Sequence, residues 1–147
     1  MTIKPTLKLP YIDLAASYLL EQQEILGICD QVFKSGRLVL GEALWSLEAE
    51  LSSYIGGGQV VALRSGTDAL MIALKAAGIG PGDEVITAPN SFIATAGAIV
   101  AVGAFPKFVD VGDDMNIDPA LIEAQISPKT KAIIPVHLTG RVAKMDQ

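Results

Sequence analysis

The sequence predicts an α/β protein, a three-layer α/β/α sandwich built around a mostly parallel sheet. Beyond residue 58, short apolar segments alternate with helix-like patterns, and this order is typical of strands that helices connect in parallel. The apolar segments contain few polar residues, which indicates strands that are covered on both faces. Both observations favour the same architecture, because the helices that join parallel strands lie on the faces of the sheet.

The N-terminal 40 residues are predicted to form an irregular arm and one helix. Residues 1–14 show no regular pattern, whereas apolar residues recur at helical spacing across residues 21–34. Gly36 follows in the position of a left-handed helix cap. We therefore assign residues 1–40 to an N-terminal arm and helix, and residues 41–147 to the first part of a larger α/β domain.

The larger domain is predicted to begin with a helix over residues 42–54 and then to alternate strands and helices. Pro119 suits the first turn of the last short helix. The predicted strands span residues 60–63, 84–88, 105–109 and 131–136, and the predicted helices span residues 65–77, 92–102 and 119–125.

The charge and the cysteine content exclude several classes of function. The net charge is −5 and the 11 basic residues are scattered, so we expect no nucleic-acid partner. Cys29 is the only cysteine and His137 the only histidine, which excludes an intrachain disulfide and a zinc cluster. We expect a cytoplasmic protein, because a reducing compartment suits a single cysteine and the opening residues lack the apolar core of a signal peptide.

An uncharged run covers residues 85–106, long enough to cross a membrane. Pro89, Gly97 and Gly103 interrupt the run, so a buried strand followed by a buried helix explains it better. We therefore expect no membrane association. Half of all residues are hydrophobic, which indicates either a complete core or an apolar surface that a partner covers.

The predicted ligand site lies where parallel strands end, because ligands of open α/β sheets bind outside the carboxyl ends of the strands. Ser65, Gly66, Thr67 and Asp68 form the strongest candidate, since a strand, a tight turn and a helix start meet there. Free backbone N–H groups, two hydroxyls and the helix dipole favour an anion. The alternative is an ordinary helix cap, since Ser, Thr and Asp cap most helices.

Three further residues follow predicted strands. Phe92 is a candidate for stacking on a flat cofactor, and its alternative role is core packing. Asp110 is a candidate turn residue. His137 is a candidate acid, base or hydrogen-bond partner, and its alternative role is structural.

Longer segments make a family resemblance specific. They read LEAELSSYIGG, ALRSGTDALMIALKAAGIGPGDEVITAPNSFIATAGAIVAVGAFPKFVDV and NIDPALIEAQISPKTKAIIPVHLTG. Together they resemble the DegT/DnrJ/EryC1/StrS family of sugar aminotransferases over residues 11–146. The resemblance implies a fold-type I enzyme that uses pyridoxal 5′-phosphate and works as a homodimer with active sites at the subunit interface. It also implies transfer of an amino group from glutamate or glutamine to a keto sugar on a nucleotide.

The resemblance also assigns roles to the candidate residues. It places Gly66, Thr67 and Asp68, together with Ser65, in the cradle of the cofactor phosphate. Phe92 matches the aromatic that stacks on the pyridine ring, and His137 matches a histidine beneath the cofactor. Arg64 and Thr139 depart from the family pattern, which puts the substrate pocket in doubt.

The resemblance further implies an aspartate that pairs with the pyridine nitrogen and a lysine that forms the Schiff base. Both lie further along the family sequence than Asp146, so we expect the 147 residues alone to be inactive. Two alternatives stay open at this point. One is a catalytically inactive binding or interaction module derived from the same fold, and the other is part of a sugar dehydratase that uses the same cofactor.

Overall fold

The computed structural model describes residues 11–147, which form two compact units. The first unit ends at Ala62 and the second runs from Leu63 to Gln147. The arm predicted for residues 1–14 lies largely outside the described residues. The domain boundary predicted between residues 40 and 41 stays a prediction.

The first unit contains two helices, α1 (Leu14–Ser35) and α2 (Glu42–Tyr54). Asp13 caps α1 by accepting a hydrogen bond from the Ala16 amide at 2.9 Å. Because of this cap, α1 begins well before the predicted start at residue 21. Gly36 ends the helix with φ of 68°, as the sequence predicted. Neither helix has a buried residue, so the apolar side chains along both helices remain accessible.

The strand predicted at residues 60–63 does not form, and this part of the prediction was wrong. A strand is defined by its pairing with a neighbour, and no strand between residues 11 and 147 pairs with this segment. The amide of Ala62 instead donates to a carboxylate oxygen of Glu48 at 2.8 Å. The Glu48 side chain thus supplies the hydrogen-bond acceptor that a partner strand supplies in a sheet.

The second unit is built around a parallel three-stranded sheet. Its strands are β1 (Glu84–Thr87), β2 (Phe105–Phe108) and β3 (Thr130–Ile134). The order is β2-β1-β3, and β1 pairs in parallel with both neighbours. The α/β class and the parallel sheet are confirmed.

Two helices, α3 (Gly66–Ala76) and α4 (Ile93–Ala101), cover one face of this sheet. Successive residues of β1 point to opposite faces, so Val85 joins the helical side and Ile86 joins the other side. The buried cluster on the helical side consists of Leu74, Ile79, Val85, Ala98, Ile99, Val102 and Ala104. The cluster on the other side consists of Ile86, Ala88, Val109 and Ile117, with Val111 and Ile122 packed against it.

The helix predicted at residues 119–125 is replaced by two 3-10 turns, Pro119–Leu121 and Glu123–Gln125. Asp118 caps the first turn through the Ala120 amide at 3.0 Å. A segment this short gains too few bonds to offset the cost of starting an α-helix, and i to i+3 bonds suit it better. The second face of the sheet is therefore covered only in part, by turns where an α-helix was predicted. Ile133 of β3 is 43% exposed on this face, so the prediction that the strands are covered on both faces was wrong here.

The uncharged run over residues 85–106 folds as β1, α4 and the start of β2. Within residues 11–147, no helix combines the length and apolar character that a bilayer span requires. The run is thus a buried strand and a helix, but the helix is buried on one side only, because Ile93 and Val100 are exposed.

Candidate functional site

The chain path brings two helix N-termini to the carboxyl edge of the sheet. α4 follows the end of β1 after a short loop, so α4 begins at that edge. α3 precedes β1 and ends at the opposite edge, which places the beginning of α3 at the carboxyl edge as well. β3 ends at the same edge and leads into His137. The topology therefore gathers all six predicted site residues at one edge of the sheet.

The N-terminus of α3 offers hydrogen-bond donors to a ligand. Ser65 is the N-cap, and its Oγ accepts a hydrogen bond from the Asp68 amide at 3.2 Å. The Ser65 carbonyl accepts from the Ala69 amide at 3.0 Å. Within residues 11–147, the amides of Gly66 and Thr67 have no protein acceptor. These two amides and the positive end of the helix dipole form an arrangement that favours an anion.

Asp68 lies in the first turn of α3, where its negative charge opposes the binding of an anion. Arg64 holds this carboxylate through two bonds, from Nε to Oδ2 at 2.9 Å and from Nη2 to Oδ1 at 3.2 Å. The Asp68 side chain is 14% exposed, whereas that of Arg64 is 86% exposed. Arg64 thus compensates the charge of Asp68 from the solvent side, in a bidentate geometry that lysine does not reproduce.

Phe92 occupies the N-cap position of α4, and 76% of its surface is exposed. It does not belong to either buried cluster. The ring is therefore available at the carboxyl edge for stacking. The preceding loop is held by Asn90, whose Nδ2 donates to the Met115 carbonyl at 2.9 Å, and by a 2.8 Å contact between the hydroxyls of Ser91 and Thr95.

His137 is exposed and precedes the 3-10 turn Leu138–Gly140. Its Nδ1 lies 3.1 Å from the Ala143 amide nitrogen. A backbone N–H only donates, so Nδ1 accepts this bond and the neutral ring carries its proton on Nε2. The remaining polar atom of the ring is thus a donor.

Asn116 is a site-adjacent residue that the sequence analysis missed. It is 1% exposed, and its side chain bonds twice to the loop that follows β3. Its Nδ2 donates to the Arg141 carbonyl at 3.1 Å, and its Oδ1 accepts from the Leu138 amide at 3.0 Å. In the sequence, Asn116 looks like one more polar residue of a turn, because no pattern separates a buried asparagine from an exposed one.

Asp110, the remaining candidate, makes local contacts. Its Oδ1 accepts a hydrogen bond from the Val111 amide at 2.8 Å, and its carbonyl accepts from the Asp118 amide at 3.0 Å. The second bond flanks the antiparallel bridge between Val111 and Ile117. Asp110 therefore lies beside this bridge and outside the turn that follows it, so the predicted role of a turn residue was wrong.

A groove of about 480 Å³ lies on the sheet face where the 3-10 turns pack. Ile122, Ile133 and Met145 are among its lining residues, and none of the predicted site residues lines it. The candidate site is therefore a set of exposed groups at the sheet edge, and it meets the groove at Ala143, which lines the groove and donates to His137.

Comparison with known proteins gives a family match over most of the chain. The model of the DegT/DnrJ/EryC1/StrS aminotransferase family matches residues 20–147. Two curated proteins to which the chain is similar carry different functional names. A pleiotropic regulatory protein of Geobacillus stearothermophilus is 46% identical over 95% of this chain and 38% of its own length. A UDP-N-acetyl-3-dehydro-alpha-D-glucosamine 3-aminotransferase of Acidithiobacillus ferrooxidans is 48% identical over 93% of this chain and 37% of its own length.

Solved structures agree with the family match. The crystal structure of Streptomyces venezuelae DesV, in complex with a ketimine intermediate, superimposes with a TM-score of 0.89 at 43% identity, over 93% of this chain and 37% of that one. The structure of NtdA from Bacillus subtilis with the bound cofactor PMP gives a TM-score of 0.84 at 44% identity, over 86% of this chain and 29% of that one. The chain thus spans less than two fifths of the length of each of these relatives.

Proposed function

Because the chain belongs to the DegT/DnrJ/EryC1/StrS aminotransferase family, we propose that it supplies the cofactor-binding edge of a pyridoxal-phosphate-dependent aminotransferase. The substrate is a nucleotide-linked keto sugar, and the amino donor is glutamate or glutamine. The observation that carries this proposal is the N-terminus of α3, where two backbone amides face no protein acceptor in the described chain. The name of the Acidithiobacillus relative, a UDP-sugar aminotransferase, supports the substrate class.

The residues at this edge fit a phosphorylated pyridine. A Cβ built on Gly66 meets no atom within 4 Å, so the space in front of the helix N-terminus is open to a phosphate group. The Gly66 and Thr67 amides donate to the phosphate oxygens, and the Thr67 hydroxyl adds a third donor. Arg64 offsets the charge of Asp68, which removes a repulsion that a dianionic phosphate otherwise meets.

The other two residues serve the ring. The exposed side chain of Phe92 stacks on the pyridine face, an arrangement that aromatic rings favour. His137 presents its Nε2–H at the same edge, where it donates to an acceptor atom of the cofactor. When bound, pyridoxal phosphate supplies the reactive carbonyl and the electron-accepting ring on which amino-group transfer depends.

We propose that residues 1–147 alone bind the cofactor without catalysing the transfer. Amino-group transfer requires a lysine that holds the cofactor and moves a proton, and the family resemblance implies that this lysine lies outside these residues. Two of the described lysines pair with acids, Lys34 with Asp30 and Lys107 with Glu84. Lys144 follows the His137 loop and lies in no motif of the Schiff-base type.

Self-association is a further part of the proposal, because the described residues leave much apolar surface open. Leu20, Phe33 and Trp45 are exposed on α1 and α2, and β3 is an edge strand of the described sheet. Exposed apolar patches and open strand edges favour pairing with another chain. We expect the 147-residue protein to be a dimer or larger assembly in light scattering over a range of concentrations, and a monomer at every concentration contradicts this part.

The proposed cofactor site is tested by calorimetric titration of the 147-residue protein with pyridoxamine 5′-phosphate. This ligand carries the phosphate and the ring but no aldehyde, so it forms no adduct with surface lysines. We expect binding that is lost with pyridoxamine, which lacks the phosphate, and competition by inorganic phosphate. Thr67→Val removes one donor to a charged group, a loss of about 1.5–3 kcal/mol or roughly a 10- to 150-fold weaker affinity.

Thr130→Val is the matched control, because it makes the same change at the amino edge of the sheet. The Thr130 Oγ1 accepts from the Ser127 amide at 3.0 Å, so the control also loses one hydrogen bond. We expect unchanged ligand affinity for Thr130→Val. Equal affinity for Thr67→Val and Thr130→Val, or equal binding of pyridoxamine with and without its phosphate, contradicts the proposed site.

A further inference from the structure

The turn before the first 3-10 segment connects two loops of the proposed site. Gly112 and Asn116 close this turn with a backbone bond of 3.0 Å, from the Gly112 amide to the Asn116 carbonyl. Asn90, in the loop before Phe92, bonds to the turn at Met115. The Asn116 side chain extends to the opposite side and bonds to the loop after β3. This turn therefore lies between the loop of Phe92 and the loop of His137.

Asn116 spans the His137 loop with one donor and one acceptor. Its partners are the Leu138 amide and the Arg141 carbonyl, which lie at the two ends of the 3-10 turn Leu138–Gly140. Thr139, inside that turn, has φ of 54°, a conformation that non-glycine residues adopt rarely and at an energetic cost. Both bonds are partly buried, and they hold the turn in this conformation against its strain.

The conformation of this turn determines where the Ala143 amide lies relative to His137. The chain returns from Leu138 through Arg141 to Ala143, which is buried and donates to Nδ1 of His137 at 3.1 Å. If the turn relaxes, this amide moves and Nδ1 is no longer required to be an acceptor. The proton of the neutral ring is then free to occupy either nitrogen.

We propose that Asn116 is a positioning residue that fixes the tautomer of His137, so that His137 presents an Nε2–H donor to an acceptor atom of the cofactor. The role of that donor rests on the proposed function, whereas the tautomer itself is a property of this chain. The asparagine amide offers a donor on Nδ2 and an acceptor on Oδ1, so one side chain serves both partners. An aspartate at this position accepts from Leu138 but has no donor for the Arg141 carbonyl when it is ionised.

The experiment is nitrogen-15 NMR of the His137 imidazole in the 147-residue protein, recorded near pH 9 where an imidazole is neutral. His137 is the only histidine, so its ring signals need no residue assignment and only Nδ1 and Nε2 have to be told apart. We expect wild type to show a bare Nδ1 and a protonated Nε2 with no detectable second tautomer. Asn116→Asp and Asn116→Leu are expected to give averaged nitrogen shifts, which report exchange between both tautomers.

Asn90→Asp is the matched control, because it removes a bond to the same turn from the other side. We expect it to keep the single-tautomer spectrum. A purely structural role of Asn116 lowers the melting temperature without changing the His137 shifts, and that result overturns the inference. Asn116→Asp changes one side-chain atom and keeps the bond to Leu138, so it serves if Asn116→Leu fails to fold.

The result separates the inference from the proposed function. A single tautomer that depends on Asn116, in a protein that does not bind pyridoxamine 5′-phosphate, supports the inference and contradicts the proposed function. Normal ligand binding together with an unchanged tautomer in both Asn116 variants supports the proposed function and contradicts the inference. If the inference and the proposed function are both correct, Asn116→Asp is expected to bind pyridoxamine 5′-phosphate roughly tenfold more weakly than wild type, which corresponds to the loss of one hydrogen bond.

Discussion

Replacement of Gly66 by alanine separates a ligand cradle from an ordinary helix cap, because the two roles predict opposite consequences. Gly66 is the first residue of α3, its φ is not in the left-handed region, and an added Cβ contacts nothing within 4 Å. Alanine fits such a helical position without strain and restricts the unfolded chain, which stabilises a protein by about 0.4–1 kcal/mol. The fold of Gly66→Ala is therefore expected to be at least as stable as that of wild type.

Ligand binding is expected to change in the other direction. The Cβ of a helical residue tilts toward the N-terminus of the helix, so the methyl group of Gly66→Ala enters the space proposed for the phosphate. Displacement of the phosphate from one backbone amide costs about 1.5–3 kcal/mol, which corresponds to an affinity roughly 10- to 150-fold weaker. Urea unfolding gives the stability, and titration with pyridoxamine 5′-phosphate gives the affinity.

Gly97→Ala provides the matched control. Gly97 lies inside α4, and an added Cβ there also meets no atom within 4 Å. We expect a gain in stability of up to about 1 kcal/mol with unchanged ligand affinity. If Gly66→Ala binds pyridoxamine 5′-phosphate as tightly as Gly97→Ala does, the N-terminus of α3 is a cap without a ligand and the proposed cradle is refuted.

Three further changes test the sheet, a surface carboxylate and the stacking ring. Thr87 is 0% exposed and its Oγ1 donates to the Ile134 carbonyl at 3.0 Å, so Thr87→Val is expected to lower the free energy of unfolding by about 1–2 kcal/mol in urea; an unchanged midpoint contradicts this. The Ser127 hydroxyl, 2.7 Å from the Glu84 carboxylate, is the main cause that lowers the Glu84 pKa, so Ser127→Ala should raise that pKa in an NMR titration. Because the pKa of Glu84 is lowered in the folded state, the ionised carboxylate stabilises the fold at pH values above its ordinary pKa, and this stabilisation is lost as pH falls through the folded pKa. The unfolding free energies of wild type and Ser127→Ala should therefore converge in acid, and parallel curves argue against the contact. Phe92→Leu is expected to weaken binding of pyridoxamine 5′-phosphate several-fold, by about 0.5–1.5 kcal/mol of lost stacking, without changing inorganic phosphate binding; an equal loss for both ligands contradicts stacking.

The elements with strong local signals were predictable from the sequence. α2 has the predicted bounds, and α3 begins directly after Ser65, where the sequence placed a capped helix start. The three strands lie within or close to their predicted ranges because each is a short apolar run between turn residues. Local propensity and the signals at the ends of the elements point the same way in these segments, which makes the sequence informative.

The misses occurred where the outcome depends on a distant partner or on a few local bonds. Residues 60–63 have the composition of a strand, but strand formation also requires a neighbour, which a local pattern does not reveal. The start of α1 was missed because the cap at Asp13 depends on a single side-chain bond. Asn116 was overlooked for a similar reason, since its importance comes from burial and from contacts with residues more than twenty positions later.

The amides at the start of α3 are proposed to hold the cofactor phosphate. The most direct measurement is the backbone NMR spectrum of the 147-residue protein during titration with pyridoxamine 5′-phosphate. We expect the amide signals of Gly66 and Thr67 to show the largest shifts and to move downfield as charged hydrogen bonds form. Pyridoxamine without the phosphate is expected not to cause these shifts. Saturable binding that leaves both signals in place, with the largest shifts elsewhere in the chain, contradicts the claim.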